Sequence, residues 1–165
     1  MRTRLVAVVG SGGRLTEEVQ RLSEELGAAL MRAKFGLVTG GMAGVMEAVS
    51  RGAFQARGTS GNPPIVGILP GYDPDAGNGF LDVAIPTGLS HARNAVVASA
   101  GDAVICIGGA TGALSEVALA SKIGRPVLAF PETGGTAKLT AKSLKSVVEV
   151  KTVEQAIAQI QGLLA

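Results

Sequence analysis

The stretch Asp102–Glu116, DAVICIGGATGALSE, decides the fold. Ala103 to Ile107 is an unbroken apolar run without the polar alternation of a half-exposed strand, so it reads as a strand buried on both faces. It breaks at Gly108-Gly109, and from Gly112 the spacing turns helical. A strand that passes into a helix through a glycine turn leaves the first backbone N–H groups of the helix without carbonyl partners, an arrangement suited to an anion. Glu116 follows about one turn inside that helix.

The same pattern recurs on both sides of this stretch. Leu5 to Val9 is a buried-strand run ending in Gly10-Ser11-Gly12-Gly13, and Phe35 to Thr39 ends in Gly40-Gly41. Ile65 to Leu69 ends in Pro70-Gly71 and a long turn through Gly79, and Val83 to Ile85 is a short strand before Pro86. Val127 to Phe130 and Val147 to Val150 complete the strands. Between them lie helical patterns. Val19, Leu22, Leu26, Ala29, Leu30 and Ala33 share one face of the first, whose opening turn carries Glu17 and Glu18. Val45, Val49 and Ala53 share one side of the second. Ser90 is expected to cap a third that runs through Ala100. The fourth, from Gly112 to Ile123, stops at Gly124-Arg125-Pro126. Thr152 and Gln155 suit a capping box for a last helix carrying Val153, Ile157, Ile160 and Leu164. Gly58 to Pro64 reads as a polar loop, and Glu132 to Ala137 as turn-like.

Regular alternation of strand and helix predicts a single Rossmann-like α/β domain over residues 1–165. The expected sheet is open, mostly parallel and of about six or seven strands, with helices on both faces. In such sheets ligands lie beyond the carboxyl ends of the strands, at the switch point, where the glycine pairs fall.

Composition narrows the function. The 165 residues are 47% hydrophobic and 17% charged, which marks a folded chain, and the 24 glycines form no repeat and so belong to turns. Aromatic residues make up 3% and the net charge is only +2, without a Lys/Arg cluster; neither supports a nucleic-acid partner. No apolar run is long enough to span a bilayer, and the short apolar run after Met1 lacks a cleavage pattern, so a cytoplasmic location is expected. Cys106, the only cysteine, lies in a core strand, which leaves no disulfide; so few Cys and His also argue against a structural metal. Glu47 reads as solvated helix surface, and the loop composition accounts for Asp73 and Asp75.

Two nucleotide motifs fail. Gly10-Ser11-Gly12-Gly13-Arg14-Leu15 has Leu15 where the third glycine of a dinucleotide fingerprint belongs, and the second strand ends without an acid for a ribose, so NAD is not expected. No P-loop sequence occurs. What stands is a pair of turns, Thr39–Gly44 and Gly108–Gly112, with Arg93, Asn94 and Glu116 as side chains that could converge on one cleft. His91, beside them, reads as a structural loop residue.

The blocks VTGGMAGVMEAVSRGA, GILPG, SHARN and DAVICIGGATGALSEVALASKIGRPV follow the order of the lonely-guy and lysine-decarboxylase-like (SLOG) superfamily. Across nearly the whole chain the sequence most resembles its small molybdenum cofactor carriers. That resemblance implies a bound molybdenum cofactor as cargo, a small phosphorylated ligand, and a homodimer or homotetramer. It implies no lysine decarboxylase activity, since no pyridoxal-phosphate (PLP) lysine motif is present. The ligand-binding residues it implies are Gly10, Ser11, Gly40, Gly41, Gly44 and Arg93, followed by Asn94, Gly108, Gly109, Thr111, Gly112 and Glu116. The phosphoribohydrolase branch is the alternative; there Arg93 and Glu116 would be catalytic. Against that branch, Ala113 stands where its motif has threonine, and Asn94 follows Arg93 in place of lysine. A ligand sensor or orphan oligomer without catalysis is the third expectation.

Overall fold

In the computed structural model, which describes residues 2–165, the strands are β1 (Leu5–Gly10), β2 (Gly36–Thr39), β3 (Ile65–Leu69), β4 (Val83–Pro86), β5 (Ala103–Ile107), β6 (Val127–Phe130) and β7 (Val147–Glu149). They form one sheet in the order β4-β3-β2-β1-β5-β6-β7, with every pairing parallel. The helices are α1 (Glu17–Arg32), α2 (Val45–Gln55), α3 (Arg93–Ala100), α4 (Thr111–Lys122), α5 (Gly135–Ser143) and α6 (Val153–Leu163).

Strand geometry divides the core in two. Successive side chains point to opposite faces, so Val6 and Val8 of β1 pack with Leu26 and Leu30 of α1, Val49 of α2 and Ile160 of α6. Ala7 and Val9 pack on the other face with Val97 of α3, Val117 of α4 and Ala137 of α5. β5 divides likewise: Ile105 and Ile107 join the first cluster, Val104 and Cys106 the second. Burial on both faces is why these strands are apolar without alternation. Cys106 is fully buried, and burial together with the nearby Glu116 pushes its thiol up to about 12.

Local chemistry sets the helix ends. Thr16 caps α1 by accepting from the Val19 N–H at 3.2 Å, and Thr152 caps α6 by accepting from the Gln155 N–H at the same distance. The Gln155 side chain reaches back to the Lys151 N–H at 2.8 Å, one residue beyond the reciprocal bond of a standard capping box.

Two expectations fail here. Ser90 does not cap α3; it sits at φ 52° inside a short 3₁₀ segment, Ser90–Ala92, and α3 starts at Arg93 with no side-chain cap. The stretch read as turn-like, Glu132–Ala137, is a 3₁₀ turn at Pro131–Thr133 followed by the first residues of α5. That helix has weak propensity, with Gly135 first and three of its residues Thr or Ser, and it is held by docking at its own N-terminus.

At the amino end of the sheet Asp102 ties β1 to β5. It accepts from the Leu5 N–H at 2.9 Å, pairs with the Arg2 guanidinium, and meets Arg4 at 3.4 Å. The hydrogen bond from Arg2 holds its carboxyl well below the usual carboxylate range.

Candidate functional site

The sheet order reverses between β1 and β5, so the switch-point crevice lies between Gly10 and Ile107, which pair in register at the carboxyl ends of these strands. A cleft of about 170 Å³ opens there. Gly10 and Gly12 line it from the loop after β1, Gly40 from the end of β2, and Met46 from α2. His91, Arg93 and Asn94 line it from the start of α3, and Gly112, Ala113 and Glu116 from the first turns of α4. Seven positions of the sequence reading or its neighbours, Gly10, Gly40, His91, Arg93, Asn94, Gly112 and Glu116, therefore meet in one place.

Burial sets the electrostatics. Glu116, which a helix pattern alone would leave exposed, is only 6% exposed. Burial raises its carboxyl to about 7, against the opposing pull of Arg93. Arg93 Nη1 lies 3.7 Å from Glu116 Oε1, an ion pair too long to be a hydrogen bond. The same nitrogen donates to Asn94 Oδ1 at 2.5 Å, and Asn94 donates to Ser115 Oγ at 3.0 Å. Burial lowers the Arg93 pKa, with Glu116 opposing, but a guanidinium keeps its charge. Gly40 gives the guanidinium its space: a Cβ there would lie 2.7 Å from both Arg93 Nη2 and the Met46 sulfur.

The glycine N–H groups are not equivalent. Gly41 donates its N–H to Thr39 Oγ1 at 2.9 Å, and Gly108 donates to Thr133 Oγ1 at 2.7 Å, so neither is free for a ligand. Gly44 serves packing: at φ 69° a Cβ would press on the Ser11 carbonyl and lie 2.8 Å from the Gly12 carbonyl carbon. By contrast, among the described residues no carbonyl accepts from the N–H groups of Thr111, Gly112 or Ala113, the open first turn of α4.

Sequence reasoning missed the residues that hold these turns. Asn78, in the long turn after β3, donates from Nδ2 to the Gly41 and Met42 carbonyls at 3.2 and 3.1 Å. The first turn of α5 grips the other loop: Thr136 and Ala137 donate their N–H groups to the Gly109 and Gly108 carbonyls at 2.9 and 3.0 Å, and Thr136 Oγ1 donates to Ala110 O at 2.7 Å. Thr133 Oγ1 in turn donates a hydrogen bond to Phe130 O at 2.6 Å. The signal was a further glycine pair, Gly134-Gly135, a short turn beyond β6. Among the described residues no group of His, Cys, Asp and Glu could hold a metal ion, and no helix is long and apolar enough to cross a membrane.

A parallel sheet with a cationic and acidic pair in its switch-point cleft, beside an open helix N-terminus, defines an α/β protein of the Rossmann-like class, and in that class ligands sit at the switch point. The SLOG cluster4 family model matches residues 3–157, and the chain belongs to that family. Among solved structures, the molybdenum cofactor binding protein of the phototrophic bacterium Rippkaea orientalis is 32% identical, with a TM-score of 0.88 over 100% of this chain and 99% of that one. The molybdenum cofactor carrier protein of Chlamydomonas reinhardtii is 31% identical, with a TM-score of 0.80 over 99% of each chain. An uncharacterized protein of Archaeoglobus fulgidus is 36% identical over 127 residues, 77% of this chain and 80% of its own.

Proposed function

We propose that this chain binds molybdenum cofactor, a phosphorylated pterin carrying the metal, and acts as its carrier. The observation that supports this most is the Arg93–Glu116 pair buried in the switch-point cleft of a chain similar over its full length to cofactor carriers. In this reading the metal is cargo, and the chain supplies recognition and shelter. The free N–H groups of Thr111, Gly112 and Ala113 offer donors to an oxyanion, and Arg93 adds a cationic contact. Gly10, Ser11 and Gly109 shape the rim, while Gly41, Gly44 and Gly108 support it through backbone contacts. The carrier is read as a cytoplasmic homodimer or homotetramer, and the exposed apolar side chains Val83, Ile85 and Leu89 on and beside the β4 edge suit such contacts. Equilibrium titration with isolated cofactor tests the function: saturable binding in the micromolar range is expected, and its absence overturns the reading.

The same pair favours a second reading. A carboxyl near neutrality beside a guanidinium could hydrolyse the N-glycosidic bond of a nucleoside 5′-monophosphate, water adding to give free base and ribose 5-phosphate. Incubation with AMP distinguishes the two, since a carrier releases no adenine. Release that persists in Glu116→Gln would exclude this mechanism.

A further inference from the structure

Two polar groups in the cleft lack partners. Glu116 is 94% buried by its 6% exposure, yet among the described residues no donor comes within hydrogen-bond distance of its carboxylate. Arg93 donates only through Nη1, to Asn94; its Nη2, beside the cleft residue Gly40, has no acceptor among the described residues. Buried polar groups normally find partners, so an unmatched acceptor beside an unmatched donor describes the ligand group that would complete them.

We propose that Glu116 and Arg93 read the edge of a 2-amino-4-oxopyrimidine ring, the edge shared by pterins and guanine, and that the ligand's phosphate stays at the glycine rim. That edge sets one carbonyl beside two adjacent N–H donors. A carboxylate accepts both donors, and a guanidinium donates to the carbonyl. An adenine edge offers one amino donor beside a ring acceptor, and a phosphate offers acceptors only, so either would set lone pairs against the Glu116 carboxylate.

The cleft's size agrees. At about 170 Å³ it is smaller than the ~300–1,000 Å³ of sites that enclose a whole small molecule. It holds one ring end and leaves the remainder outside. Met46 adds a polarizable apolar wall of the kind that packs on a flat heterocycle.

Proton linkage follows from the same contacts. Of the groups around Glu116, Arg93 of α3 is charged, His91 of the 3₁₀ segment lines the cleft, and Cys106 of β5 lies near enough for Glu116 to help push its thiol up to about 12, so it stays neutral; Asn94, Met46 and the glycines of the β1 and β2 loops carry no charge. Two N–H donors favour the ionised carboxyl, so binding releases a proton, and affinity falls as pH drops below about 7.

This inference rests on the carrier reading and specifies which end of the ligand enters. The test is titration of the purified chain with unsubstituted pterin, GMP, AMP and pyrophosphate, followed by pterin fluorescence or calorimetry. Pterin should bind saturably, at least about tenfold more tightly than AMP or pyrophosphate, because a mismatched edge leaves buried groups unpaired. GMP binding alongside pterin would place the recognition in the shared edge alone; pterin without GMP would assign it to pterins. Glu116→Gln should weaken pterin about tenfold or more and abolish the pH dependence. AMP binding as tightly as pterin, or Glu116→Gln leaving pterin affinity and its pH profile intact, would overturn the proposal. Cofactor that binds while free pterin does not would overturn the edge reading and leave the carrier reading standing. Glu116-dependent pterin binding without cofactor binding would do the reverse.

Discussion

The two glycine turns, Thr39–Gly44 and Gly108–Gly112, look alike in sequence and do different work. In the first, glycine provides closeness: Gly44 lies against the backbone of Ser11 and Gly12, the Val45 N–H bonds to Ser11 O at 2.8 Å, and Asn78 pins the Gly41 carbonyl. The second ends in a helix start with no N–H spent on a neighbouring loop. Its carbonyls at Gly108, Gly109 and Ala110 are taken by α5, while the N–H groups of Thr111, Gly112 and Ala113 have no partner among the described residues. Among the described residues α2 spends its first N–H, that of Val45, on Ser11 and leaves those of Met46 and Glu47 without an acceptor, whereas α4 leaves all three N–H groups of its first turn open.

Four substitutions would break or sharpen that contrast. Gly44→Ala should have the largest effect, a loss of about 3 kcal/mol in denaturant unfolding, because a Cβ at φ 69° is strained and meets backbone. A loss below that of an ordinary helix-start substitution would mean the first turn is not a packing device. Glu116→Gln separates site from scaffold by pH. Its carboxyl is near 7 when folded against an ordinary 4.5, so between these values the folded chain keeps a proton that the unfolded chain has released. Wild-type stability therefore declines as pH rises from about 4.5 to about 7 and then levels, and the variant should be more stable by about 2 kcal/mol at pH 8 with no gain at pH 4. Melting curves at the two pH values check the sign.

Thr136→Val removes one hydroxyl from the α5 grip and leaves its N–H in place. It should lose about 1 kcal/mol of stability and raise hydrogen exchange at Gly108 and Ala137, whose N–H groups are bonded across the grip, with Thr136→Ser restoring both. Gly112→Ala should change stability least. It has ordinary backbone geometry and its Cβ would meet only Asn94 Nδ2, at 3.9 Å, so helix propensity adds about 0.5 kcal/mol. Ligand affinity should nevertheless fall, since the methyl group projects beside a cleft residue. If affinity holds, the second turn is not the binding turn.

All seven strands and five of the six helices were legible, because a parallel sheet covered on both faces writes itself as apolar runs separated by helical spacing. The sixth, α5, was not. Its buried residues are Thr136, Ala137 and Thr140, while its large apolar residue, Leu139, is 51% exposed, so no apolar stripe announces it. The convergence of Arg93, Asn94 and Glu116 followed from strand order, but the burial of Glu116 did not, since a carboxylate is ordinarily left in solvent even where Ala113 and Ala120 share its helix face. The use of Gly41 and Gly108 inside the chain depended on the hydroxyls of Thr39 and Thr133, the latter 25 residues away from the glycine it holds.

The grip of α5 on Gly108–Ala110 also has a kinetic consequence. A loop whose carbonyls are all engaged before any ligand arrives has few alternative conformations to abandon, so nearly every molecule is competent at the moment of encounter. Association should then proceed in a single phase whose rate rises linearly with ligand concentration, without the plateau that a slow opening step imposes. Differences in affinity among ligands should appear in how long each one stays.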